Sequence, residues 1–115
     1  MLLNSRDPVA DRAFFRDVLG WPSVEDPASG GGWLIFETPP SELGVHPTDG
    51  DSTVMMHLMC DDLESTAAEL AAKGVEVGPV AEREYGLVTT LTLPSGAVIG
   101  LYEPRHESPL ASFRP

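Results

Sequence analysis

Asp61-Asp62-Leu63-Glu64-Ser65-Thr66-Ala67-Ala68-Glu69-Leu70-Ala71-Ala72-Lys73-Gly74 decides the fold, because the chain contains this pattern twice. Leu63, Thr66, Ala67, Leu70, Ala71 and Gly74 recur at the spacing of one helical face, which predicts an amphipathic helix over 62–73. Asp61 reads as its N-cap with Glu64 three residues on, and Gly74 as the residue that ends it. A shift of 54 residues lays Asp7 on Asp61 and Gly20 on Gly74. In that earlier copy Asp7 caps and Pro8 takes the first helical position. Ala10, Ala13, Phe14 and Val18 form the buried stripe of a helix over 8–19. The same shift lays Met1 on Met55, Gly32 on Gly86, Thr38 on Thr92, and Pro40-Ser41 on Pro94-Ser95. These matches fall on caps, stops and turns, where backbone geometry dictates the residue type, so they mark a duplicated unit.

Each copy reads as strand, helix, strand, strand, strand. The second has strands over 54–60, 75–77, 87–93 and 97–102, with Pro94-Ser95-Gly96 as the last turn. The first has strands over 2–5, near Val24, over 33–38 and over 43–46. Residues 28–32 and 48–51 are loops, the latter joining the copies. The expected fold is therefore α+β, with two βαβββ modules (about 1–48 and about 54–104) in one domain and an irregular tail over 105–115.

Composition narrows the function classes. Seven basic residues against 18 acidic ones give a formal charge of −11, a field that repels phosphate backbones and anionic lipid. No partnership with nucleic acid or membrane is expected, and no segment has the roughly 20 apolar residues of a bilayer span. Charge at Arg6 and Asp7 comes too early for a secretory leader. The single cysteine, Cys60, excludes an internal disulfide and every multi-cysteine zinc motif. The expected location is the cytoplasm. Gly-x-Ser-x-Gly, Gly-x-x-x-x-Gly-Lys and Gly-x-Gly-x-x-Gly do not occur, so nothing points to a nucleophile elbow or a phosphate cradle.

Two βαβββ modules, with Ala13-Phe14-Phe15-Arg16-Asp17-Val18-Leu19-Gly20-Trp21 closing the first helix, resemble the vicinal oxygen chelate superfamily. Cys60-Asp61-Asp62-Leu63-Glu64 and Pro94-Ser95-Gly96 leading into Leu101-Tyr102-Glu103-Pro104 carry the same resemblance through the second module. The superfamily comprises glyoxalases, bleomycin-resistance-type binding proteins and extradiol dioxygenases. The resemblance implies curled sheets forming a cup with helices outside, and a homodimer.

In metal-dependent members the cup holds a divalent ion through the first and last strands of each module. Carried onto this chain, those positions are Met1 (or a residue before it), His46, Met55 and Gly100. Only His46 is a competent ligand for such an ion. Gly100 has no side chain, and a thioether is too soft for iron(II), manganese or magnesium. No metal cofactor is therefore expected. If one were held, His46 and His57 would carry it, with Glu37, Glu42 or Tyr102 as an unranked third ligand.

The residues suggest a different use of the cup. Strand alternation puts Met55, His57 and Met59 on one face, and Met56, Leu58 and Cys60 on the helix-packed face. Glu103 alternates away from the cup. The ligand-binding residues expected are Trp33 (or Leu34, depending on register), His46, Met55, His57, Met59 and Tyr102, since thioethers and aromatic rings suit an adaptable apolar surface. The expected function is small-molecule binding without the usual metal. The alternative is a metal-dependent or histidine-based lyase, isomerase or dioxygenase, with His46 or His57 as base.

Overall fold

A computed structural model describes residues 1–25, 34–41, 43–45 and 47–105. Helix α1 (Pro8–Ala13) passes directly into a π-helical turn, Phe14–Val18, and then come β1 (Ser23–Glu25) and β2 (Leu34–Phe36). The second half holds β3 (His57–Met59), α2 (Leu63–Ala72), β4 (Glu76–Val77), β5 (Ala81–Arg83), β6 (Gly86–Thr92) and β7 (Val98–Pro104). Strands β1 and β2 form an antiparallel hairpin, while the main sheet runs β3-β7-β6-β4 with β5 also on β6. Among the described residues, only β3 and β7 pair in parallel.

Local chemistry explains the helices. Asp7 accepts the Ala10 N–H and Pro8 opens α1, as expected. The cap of α2 is Asp62 rather than Asp61: its carboxylate accepts the Ser65 N–H at 3.1 Å. The capping partner is not Glu64 but Glu103 on β7, which accepts the Leu63 N–H at 2.9 Å. Both helices end at glycines with positive φ, Gly20 (71°) and Gly74 (87°). The π turn is the departure from the expected regular helix over 8–19. The Leu19 N–H reaches back to Phe14 O, and this widened turn carries two consecutive rings, Phe14 and Phe15, both buried.

Alternation is legible across the main sheet. Thr89, Leu91, Ile99 and Leu101 are buried, and they share the face that Leu63 and Leu70 of α2 cover with Phe14 and Phe15. Strand β5, absent from the sequence expectation, forms because Glu84 and Tyr85 make a two-residue turn that returns Arg83 beside Gly86. A Cβ at Gly86 would meet Tyr102 Cε2 at 3.0 Å and also the Glu103 carbonyl, so only glycine fits. Between β4 and β5 the backbone bends at Gly78 and Pro79, and the Thr89 hydroxyl donates to both carbonyls. The expected strand over 75–77 is thus β4, and the chain returns to the same partner strand, β6, beyond the bend as β5.

The two modules are unequal. Among the described residues, 2–5 and 43–45 form no strand, against expectation, and 54–56 precede β3 without joining it. A strand needs a neighbour's ladder. β2 is only three residues long, and Pro39 and Pro40 have no N–H to continue one. His46, Trp33 and the tail from 106 onward lie outside the described residues.

Candidate functional site on the open face of the main sheet

Register builds the site. His57 on β3 stands opposite Gly100 on β7, which stands opposite Thr90 on β6; one step on, Met59, Tyr102 and Val88 form the neighbouring row. These residues lie on the sheet face that the helices leave open. Met55, His57 and Met59 are exposed, while Met56, Leu58 and Cys60 pack against the core, as alternation requires. Met55, His57, Pro79, Ala81, Tyr85, Val88, Thr89 and Thr90 line a depression of about 280 Å³.

Tyr85 was not singled out in the sequence, since it stood in a segment with no expected structure. In the fold its ring lies 5.9 Å from that of Tyr102 at 63°, and the Tyr102 hydroxyl donates to the Tyr85 carbonyl. The only sequence signal for it was Gly86, which here marks a hairpin. Glu103 points away from the open face, where it caps α2 and lies 3.8 Å from Arg105 Nε. Burial pushes the Cys60 thiol up from its ordinary value. A Thr66 hydrogen bond opposes this, while the carboxylates of Glu103, Asp61 and Asp62 reinforce it.

Three of the four positions carried over from the superfamily's metal site do not fit a hard divalent cation, and the fourth, His46, lies outside the described residues. Gly100 offers no donor, Met55 offers a thioether, and Met1 lies outside any strand and is exposed. The imidazole of His57 occupies the space above Gly100, where a built Cβ would lie 2.6 Å from its Nε2. Among the described residues no three His, Cys, Asp or Glu side chains gather to hold an ion. Of the other third-ligand candidates, Glu37 is exposed next to β2 and Glu42 lies outside the described residues.

A larger hollow, about 620 Å³, opens elsewhere, between α1 with its π turn and the end of α2. Its lining mixes Ala10, Ala13 and Pro94 with Asp17, Lys73 and Glu76. It runs along the junction of the two modules rather than over the open face. No helix among the described residues is long and apolar enough to cross a membrane.

Comparison with known proteins agrees with this architecture. A family model described as a glyoxalase-like domain matches residues 1–101. The antibiotic binding protein TnmS3 from Streptomyces sp. CB03234 superposes with a TM-score of 0.66 at 23% identity, covering 89% of this chain and 90% of that one. Lactoylglutathione lyase from Agrobacterium tumefaciens gives 0.61 at 17% identity, with 88% of each chain covered. A glyoxalase/bleomycin resistance protein from Streptomyces sp. CB03234 gives 0.58 at 21% identity, covering 87% and 92%. A comparison with curated proteins finds no match. With the family model spanning almost all the described residues, the chain belongs to the glyoxalase-like domain family of the vicinal oxygen chelate superfamily.

Proposed function

We propose that this protein binds a small organic molecule on the open face of its main sheet, without the superfamily's divalent metal. The observation that carries the reading is the difference between the two sheet faces. One is sealed by α2 and the phenylalanines, while the other leaves Met55, His57, Met59 and Tyr85 exposed around Tyr102 and Val88. Thioethers, two aromatic rings and one imidazole form an adaptable apolar surface with few polar groups, the composition of a ligand pocket rather than of a solvated face. Trp33 and His46 complete the proposed ligand set from outside the described residues. Binding by affinity alone needs no reacting group, and it suits the donor-poor positions Met55 and Gly100. A fold-level likeness to an antibiotic binding protein supports the same reading. The protein is expected to act in the cytoplasm.

Titration of the purified protein with manganese, nickel, cobalt or zinc should give no stoichiometric binding and no rise in melting temperature. Native mass spectrometry of protein isolated from its own cells should instead show an organic adduct. A stoichiometric ion lost on His46→Ala would overturn the metal-free reading. Turnover of the bound compound that disappears in His57→Ala would replace binding with catalysis.

A further inference from the structure

Gly100 is a glycine without a conformational reason. Among the glycines with positive φ are Gly20, Gly74, Gly86 and Gly96, but not Gly100. What a side chain at Gly100 would meet is the His57 ring. A Cβ there would lie 2.6 Å from His57 Nε2 and 2.8 Å from its Cγ, and would meet Cδ2 as well. The imidazole therefore lies across the bare backbone of β7, with its Cδ2–Nε2 edge over Gly100. Gly78 repeats the device, since a Cβ there would lie 2.5 Å from Thr90 Oγ1. The Gly78 N–H donates to the Thr90 carbonyl, and Thr90 stands opposite Gly100. One row across the sheet thus reads Gly78, Thr90, Gly100, His57: bare backbone alternating with a polar side chain laid over it. Met55, just before β3, and Met59, at its end, flank this row, and Val88 and Tyr102 flank it on β6 and β7.

We propose that Gly100 is a positioning residue: by lacking a side chain it holds the His57 imidazole flat across the open face, where the ring selects neutral, flat apolar molecules bearing a hydroxyl or carbonyl. The proposal rests on the reading that this face binds ligands. Its chemistry follows from the row. An imidazole and a hydroxyl can each hydrogen-bond to a hydroxyl or carbonyl, the surroundings are thioether and aromatic, and a protein of charge −11 disfavours anions.

The test uses two probes, 2-naphthol and naphthalene, followed by chemical-shift changes at residues of the open face. The proteins are the wild type, Gly100→Ala, His57→Ala and the double variant. The wild type should prefer 2-naphthol, and a nuclear Overhauser effect should join the His57 ring to the Gly100 α-protons. Gly100→Ala and His57→Ala should each weaken 2-naphthol binding about five- to tenfold, the share of one hydrogen bond, with naphthalene changed by under about twofold. The double variant should lose no more than His57→Ala alone, because the added methyl then fills the vacated space. This variant also keeps the test valid if Gly100→Ala alone does not fold. Wild-type preference retained in folded Gly100→Ala, or losses that add in the double variant, would overturn the inference. Neither probe moving the open-face resonances would overturn the binding reading itself, while the ring-to-glycine contact would still be reported separately.

Discussion

Asp11 is 3% exposed, the buried carboxylate among the described residues. Its Oδ2 accepts the Ser5 hydroxyl at 2.7 Å and its Oδ1 accepts the Ser95 N–H at 3.0 Å. The second bond spans the modules, fastening α1 to the turn between β6 and β7. Exposed ion pairs such as Arg16–Asp17 and Arg105–Glu82 are screened by water and contribute little. Asp11→Ala takes a buried acceptor away from two half-buried donors and should cost about 2 kcal/mol, read from the urea midpoint. Asp11→Asn keeps an acceptor for Ser95 and should cost about half as much. Cys60 provides the pH prediction. Because burial raises its thiol, the fold favours the protonated form. The associated stability is complete below the unfolded thiol's pKa and is lost as pH rises through the folded one. An uncharged maleimide should therefore label Cys60 more slowly in the native protein than in the urea-unfolded chain at pH 8, and the gap should close as the solution is made more alkaline.

At the scale of elements, the π turn decides how the first module meets the second. Its widened register brings Phe15 against Phe14 (5.3 Å between ring centroids), Trp21 (5.2 Å) and Phe36 (5.8 Å). One ring therefore ties the helix to β2. Phe15→Ala should lower stability by about 3–4 kcal/mol, measured by guanidinium unfolding, and should release the β1–β2 hairpin first in hydrogen exchange. Helix α2 has a comparable long-range tie, since Glu103 comes from 40 residues away to cap it. The helices themselves were legible in the sequence because caps and stops act within one turn of chain. The π turn was not, because its extra residue is selected by the packing of two adjacent rings rather than by periodicity. Strand β5 was missed for a related reason: Ala81–Arg83 has no alternation of its own and becomes a strand only because β6 offers it a ladder.

For the whole molecule, the inequality of the modules is the main consequence. Leu43, Val45 and Val54 are 90%, 92% and 99% exposed, and Met1 and Leu2 are exposed beside the unstranded start of the chain. Among the described residues, strand β3 pairs only with β7 and leaves its other edge unmatched. Apolar segments and an open edge of this kind favour association, and a second copy of the chain would cover them while enclosing the open face. A homodimer is accordingly proposed. Sedimentation at micromolar concentration should give about twice the 12.3 kDa of one chain, and Val45→Lys with Val54→Lys should shift it toward one. A single-chain mass for the unaltered protein would refute the dimer.

The sequence by itself determined the α+β class, the doubled helices with their glycine stops and the Asp7 cap, the places of β3, β4, β6 and β7 in the second module, and the sidedness of Met55, His57 and Met59. All of these follow from residue spacing along one stretch of backbone. It also determined that His46 alone of the four expected metal positions carries a ligand for a hard cation, since that is a matter of residue identity. Only the tertiary structure decided that the first module stays short of its expected strands, that Tyr85 joins Tyr102, that Asp11 and Glu103 clamp distant elements, and that the His57 ring rests on Gly100. Each of these depends on which strand lies beside which, and that is settled by the burial of Phe14, Phe15, Leu91, Ile99 and Leu101 together. No local pattern encodes such pairings, because the competing arrangements differ only in what the packed core excludes.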